Sequence, residues 1–111
     1  KGNHDMKGFE VIFIAPRSRR HEGEPVLDKI VALAHAQDIT RHTLRDDAGG
    51  VGVNGHAHSA HFFEATDEPQ ELMFVLDGGE ADSLLRAVED ADIEVFCVRR
   101  AIDYWQLGER N

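Results

Sequence analysis

An α+β fold, with one four-stranded antiparallel sheet and two helices on one of its faces, is predicted by three features of the chain. Two runs, residues 8–15 (GFEVIFIA) and 71–76 (ELMFVL), are apolar on both faces of the pleat, as central strands are. Each is followed by an amphipathic stretch opened by a helix-start signal. The element order reads strand, helix, strand, strand, helix, strand, the βαββαβ arrangement called ferredoxin-like.

The first strand ends at Pro16, and RSRRHEGE (17–24) forms a polar connection carrying Arg17, Arg19, Arg20 and His21. Those charges read either as a solvated loop or as an anion clamp beside the helix start. Pro25 suits the first turn of that helix, because its missing N–H is not needed there. Val26, Leu27, Ile30, Val31 and Ala34 then form one apolar stripe, and His35 falls where the helix dipole favours positive charge. Residues 39–45 alternate polar and apolar side chains and predict an edge strand. Asp46, Asp47 and the glycines Gly49, Gly50, Gly52 and Gly55 break it. The chain reads as extended again over 56–65, and Asp67, Glu68 and Pro69 make a turn. Asp77 is the expected N-cap of the second helix, with Glu80 in its first turn and Ala81, Leu84, Leu85 and Val88 facing inward. Residues 93–98 (IEVFCV) predict the last strand, and 101–107 (AIDYWQL) a tail with two aromatics. The first and third strands are central and the second and fourth are edges.

Helices on one face leave the other face bare. Either Ile12 and Ile14, or Phe9, Val11 and Phe13, must point there, with half of ELMFVL. A bare apolar sheet marks association, so a closed homo-oligomer is expected.

The totals bound the function. At 111 residues the chain is one domain, and 41% apolar with 30% charged residues is ordinary for a soluble globular protein. A net charge of −9 argues against nucleic-acid and anionic-membrane binding. The sequence has no apolar run long enough to span a membrane and no signal-peptide pattern. The single cysteine, Cys97, has no internal disulfide partner, so a cytoplasmic setting is expected. Residues 1–5 (KGNHD) precede Met6 and read as an appended remnant, leaving 6–111 as the domain.

The loop between the second and third strands carries the chemistry. The residues Gly50-Val51-Gly52, Gly55, His58-Ser59-Ala60, Phe62-Phe63 and Pro69 before ELMFVLD resemble the PII-like signalling superfamily, in its uncharacterised branch. The likeness spans most of residues 6–100. It implies a trimeric ferredoxin-like body whose T-loop, here about residues 46–67, senses ligands and engages a partner, such as a transporter or an enzyme. It also implies adenine nucleotides, in some cases with bicarbonate, in clefts between subunits. Gly50 and Gly52 would let backbone approach a phosphate, Gly55 and His58 would stand beside the ligand, and Arg100 matches a basic residue that faces the nucleotide. Departures from the pattern are Asp90-Ala91-Asp92 in place of a glycine-lysine segment, no loop tyrosine, and Asp103 and Trp105 where bases are expected. Fewer phosphate-neutralising charges result.

His56, His58 and His61 (HAHSAH) have two readings. In an extended chain His56 and His58 lie on one side, about 6–7 Å apart, and could share Zn²⁺ or Cu²⁺ with His61, His42 or Glu64. That would make a divalent-metal-binding trimer akin to the cation-tolerance (CutA-like) proteins of the same fold class. Alternatively they are polar loop residues bonded to backbone and water. No nucleophile and base stand at a recognisable spacing, so no catalysis is expected, and Cys97 reads as an inert thiol among apolar neighbours.

Overall fold

The computed structural model describes residues 6–46 and 68–108. Its main sheet has four antiparallel strands: β1 (Met6–Pro16), β4 (Thr43–Asp46), β5 (Pro69–Leu76) and β6 (Phe96–Tyr104), in the order β4-β5-β1-β6. The two doubly apolar runs are thus the central strands, and the predicted edges are edges. A two-stranded ribbon, β2 (Arg20–His21) with β3 (Glu24–Pro25), lies between β1 and helix α1 (Val26–His35). Its turn, Glu22-Gly23, has φ of 53° and 85°, the positive pair that matches the twist of a tight hairpin.

Val11, Phe13 and Ala15 of β1 and Leu72, Phe74 and Leu76 of β5 point to the helix side. There they meet Leu27, Ile30 and Ala34 of α1 and Ala81, Leu84 and Val88 of α2 (Gly78–Asp90) in one core. Phe13 and Phe74 meet edge to face, with centroids 6.0 Å apart, the geometry that the ring quadrupoles favour. Helix α2 starts with a full capping box. The Asp77 carboxylate accepts from the Glu80 N–H at 2.8 Å, and the Glu80 carboxylate accepts from the Asp77 N–H at 3.1 Å.

The sequence misjudged several strand boundaries: β4 includes Asp46, β5 opens at Pro69, residues 93–95 are not strand, and two further differences are larger. Residues 39–42 are not strand: Ile39 donates its N–H to the Ala34 carbonyl and buries its side chain as the plug that ends α1, so pairing starts only at Thr43. The last strand is Phe96–Tyr104, so residues 101–104 of the expected tail pair with β1, opposite Met6–Phe9. The expected loop at 47–67, including the extended stretch at 56–65, lies outside the described residues.

The pleat settles which side chains lie on the helix-free face, where Ile14 is already covered within the subunit at 6% exposed. Ile12, Ile14, Met73, Val75, Phe96, Val98 and Ile102 face away from the helices. Among them Val75 is 42% exposed and Phe96 38%. Among the described residues, no helix is long and apolar enough to cross a membrane.

Candidate functional site

The helix-free face carries a cleft at the end remote from the 47–67 stems. It is about 520 Å³, the size of a small-molecule site. Met6 opens β1, Met73 and Val75 come from β5, and Tyr104 closes β6. These four give an apolar floor. Trp105, 51% exposed, and Gln106 follow β6 directly, while Arg41, His42 and Thr43 lead into β4. The His42 ring sits 6.0 Å from that of Phe74 at a tilted angle. Arg41 makes no ion pair with any described residue. An aromatic wall opposite a guanidinium that no described residue pairs with can hold a flat ring and an attached anion together.

Tyr104 is placed by a glycine. A Cβ on Gly8 would come within 2.7 Å of the Tyr104 ring and 2.4 Å of the Leu76 carbonyl oxygen. Only glycine lets the ring lie across β1 here and wall the cleft.

The sequence-derived ligand residues fare differently. Arg100 is on β6, on the helix-free face, but does not line the cleft. Its Nε and Nη2 both donate to Oε1 of Glu10, directly opposite on β1. Gly50, Gly52, Gly55 and His58, and the metal candidates His56, His58 and His61, lie outside the described residues. Among those described, no three His, Cys, Asp or Glu side chains are grouped to hold a metal ion. Met6, Arg41, Met73 and Trp105 were missed. No motif links positions so far apart, and only strand register brings them together.

The stems of 47–67 are tied to the body. The Arg17 N–H donates to the Glu68 carbonyl at 2.9 Å. The Arg17 guanidinium lies 3.0 Å from the Asp46 carboxylate and 3.6 Å from that of Glu68. Gln70 donates to Asp46 at 2.8 Å. The Gln70 hydrogen bond, reinforced by Arg17 and opposed by desolvation, holds the Asp46 carboxyl below its usual 3.8. Arg17 is therefore spoken for, and Arg20 donates to the Gly23 carbonyl, so two arginines of the expected anion clamp are committed to internal partners. Glu71, only 3% exposed, lies 3.9 Å from Arg45. On the helix side, burial pushes the Cys97 thiol up to about 11 against a smaller pull from Arg99, leaving it protonated and unreactive at neutral pH.

No family model matches the sequence, and no curated protein matches it. A solved structure does: that of CPII bound to ADP, AMP and acetate, from Thiomonas intermedia K12. The match is 10% identical over 93% of each chain, with a TM-score of 0.65. At that level the overall fold is shared, and with its α+β sheet of order β4-β5-β1-β6 the chain has a PII-like fold.

Proposed function

We propose that this chain is a non-catalytic, PII-like regulatory protein of the cytoplasm. It forms a homotrimer through its helix-free sheet face and binds a small ligand with a planar ring and an anionic group at the clefts where copies meet. Adenine nucleotides are the first candidates. The observation that carries this reading is the aromatic-walled cleft beside Arg41, opening on an apolar sheet face that a lone subunit would leave in water. The nucleotides bound to the structural neighbour support the choice of ligand. In this reading Trp105 and Tyr104 stack on the ring, and Arg41 faces the anion. Gly50, Gly52, Gly55 and His58 contribute from the loop, and the loop signals to a partner transporter or enzyme. Fold alone does not fix activity, so the ligand must be tested directly.

The test is calorimetric titration with ATP, ADP, AMP and a cyclic nucleotide, with and without bicarbonate, followed in parallel by Trp105 fluorescence. Binding of at least one nucleotide is expected, weakened tenfold or more by Arg41→Ala or Trp105→Ala. Silence across the panel overturns the nucleotide assignment, and sedimentation as a lone subunit at micromolar concentration overturns the assembly. The HAHSAH run supports one other reading, a divalent-metal-binding trimer. Equal metal content in the untagged protein and in a His56→Ala/His58→Ala variant would remove it.

A further inference from the structure

The helix-free face differs from the rest of the molecule in charge. The whole chain carries −9, so two copies repel each other over most of their surfaces. Within the strands of this face the described charged residues are two acids and two bases, and they are matched: Glu10 with Arg100, and Glu71 with Arg45. Among the described residues the strands of this face thus carry no net charge and Arg41 at its edge adds one base, so an identical, strongly acidic copy can approach it without the repulsion that the net charge implies elsewhere. A basic partner would instead be drawn to the acidic remainder.

Neutrality alone does not say how the copies align. Ile12, Met73, Val75, Val98 and Ile102 would tolerate sliding, because apolar contact is not directional. The Glu10–Arg100 pair is directional. Glu10 is largely covered, with a side chain 19% exposed, while Arg100 is 66% exposed. Two of the five guanidinium hydrogens are used on Glu10, and the Nη1 pair has no acceptor among the described residues. Once a second copy excludes water, those donors need an oxygen on the facing copy, and arrangements that lack one are penalised.

We propose that Glu10 and Arg100 form the alignment device of the self-association face. Glu10 neutralises Arg100 within the subunit, and the spare Arg100 hydrogens select the one arrangement that offers them an acceptor on the next copy. This rests on the assembly reading above. It gives Arg100 a partner-facing role in place of a ligand-facing one.

Sedimentation velocity on the full chain, from one to one hundred micromolar, tests it. Wild type should run as one oligomeric species. Glu10→Gln leaves the arginine without its carboxylate and should weaken association at least tenfold. A Glu10→Leu/Arg100→Leu variant should associate again, but as a mixture of sizes, because the directional element is gone. Circular dichroism checks that each variant is folded, and Phe96→Asp, a charge on the same face four residues along β6 from Arg100, should dissociate the protein. Glu10→Gln associating within twofold of wild type, while Phe96→Asp dissociates, would overturn the proposal and leave the assembly reading standing. The double-leucine variant giving one species identical to wild type would overturn it as well. A monomeric wild type would overturn both.

Discussion

Replacing Gly8 with alanine adds one methyl group at the place where β1 passes both Tyr104 and the β5 backbone. The new Cβ would sit 2.7 Å from the Tyr104 ring and 2.4 Å from the Leu76 carbonyl oxygen, both inside the 3.0 Å below which real Cβ contacts are essentially absent. The ring can swing aside, at the cost of the cleft wall. The carbonyl cannot, since it belongs to the strand that pairs with β1 along its length. The strain must therefore go into the β1–β5 ladder, and overpacking of this kind costs about 1–3 kcal/mol. At about 4–8 °C per kcal/mol, a cost of about 2 kcal/mol lowers the melting temperature by about 8–16 °C. Gly78→Ala is the internal control. Its Cβ would meet only the Phe9 ring at 3.6 Å, an ordinary contact, so it should stay within about 0.5 kcal/mol of wild type. Urea unfolding followed by circular dichroism gives both values. A Gly8→Ala protein as stable as the Gly78→Ala control would refute the reasoning, because the close approach would then be absorbed without cost. Tyr104→Ala in the Gly8→Ala background should recover only part of the loss, since the Leu76 carbonyl remains.

Three further outcomes follow from the geometry. Asp77→Ala removes the acceptor of the α2 capping box and should cost about 1 kcal/mol in urea unfolding; no change would mean that the cap is redundant. Because the folded state lowers the Asp46 pKa, this group stabilises the fold above its ordinary value of 3.8, and the contribution is lost as pH falls through the depressed value. Its NMR titration midpoint should lie below 3.8 and rise in Gln70→Ala and also in Arg17→Ala, and no rise in Gln70→Ala would refute the assignment of cause. The Cys97 thiol, raised to about 11 from 9.0, favours the fold up to about pH 9 and loses that contribution as pH climbs toward 11. Alkylation of the native protein should accordingly stay slow at pH 8 and become rapid on unfolding in urea, whereas equal rates in both states would show an exposed thiolate.

Much of the sheet could be read from the chain because burial on two sides leaves a residue-by-residue signature. GFEVIFIA and ELMFVL admit no polar face, so they had to be central, and the edges followed from the element order. The second helix was equally legible, because Asp77 and Glu80 act locally, within one turn. What failed was whatever depended on a contact outside the segment being read, whether with the preceding helix end or with a strand far along the chain. Ile39 looks like the first apolar residue of an alternating strand, yet its partner is the end of α1, and nothing in residues 39–45 announces that. Ala101 and Asp103 look like tail, yet they lie opposite Phe9 and Lys7. The cleft was invisible for the same reason. Trp105 and Arg41 have no motif between them, and the expectation for Arg100 could not include Glu10, ninety positions away, whose register on β1 neutralises it.

The charge pattern also constrains how any ligand reaches the protein. A chain at −9 slows the approach of an anionic ligand, so the acceleration that steering gives to basic sites is not available. Affinity must then be local, from a charge close to the ligand and from apolar area that does not depend on charge. The two are adjacent at one point: Arg41, without an ion-pair partner among the described residues, stands across the cleft from Trp105 and Tyr104. Arg17, Arg20, Arg45, Arg99 and Arg100 each already face a carboxylate or carbonyl oxygen. A ligand that relied on several phosphate charges would have to displace those partners one after another. A ligand with a large flat ring and a modest anionic group needs only Arg41. On this balance AMP-like ligands lose less to the protein's own charge than ATP-like ones. Raising the ionic strength should then narrow the gap between them, because screening relieves the repulsion of the more highly charged ligand most.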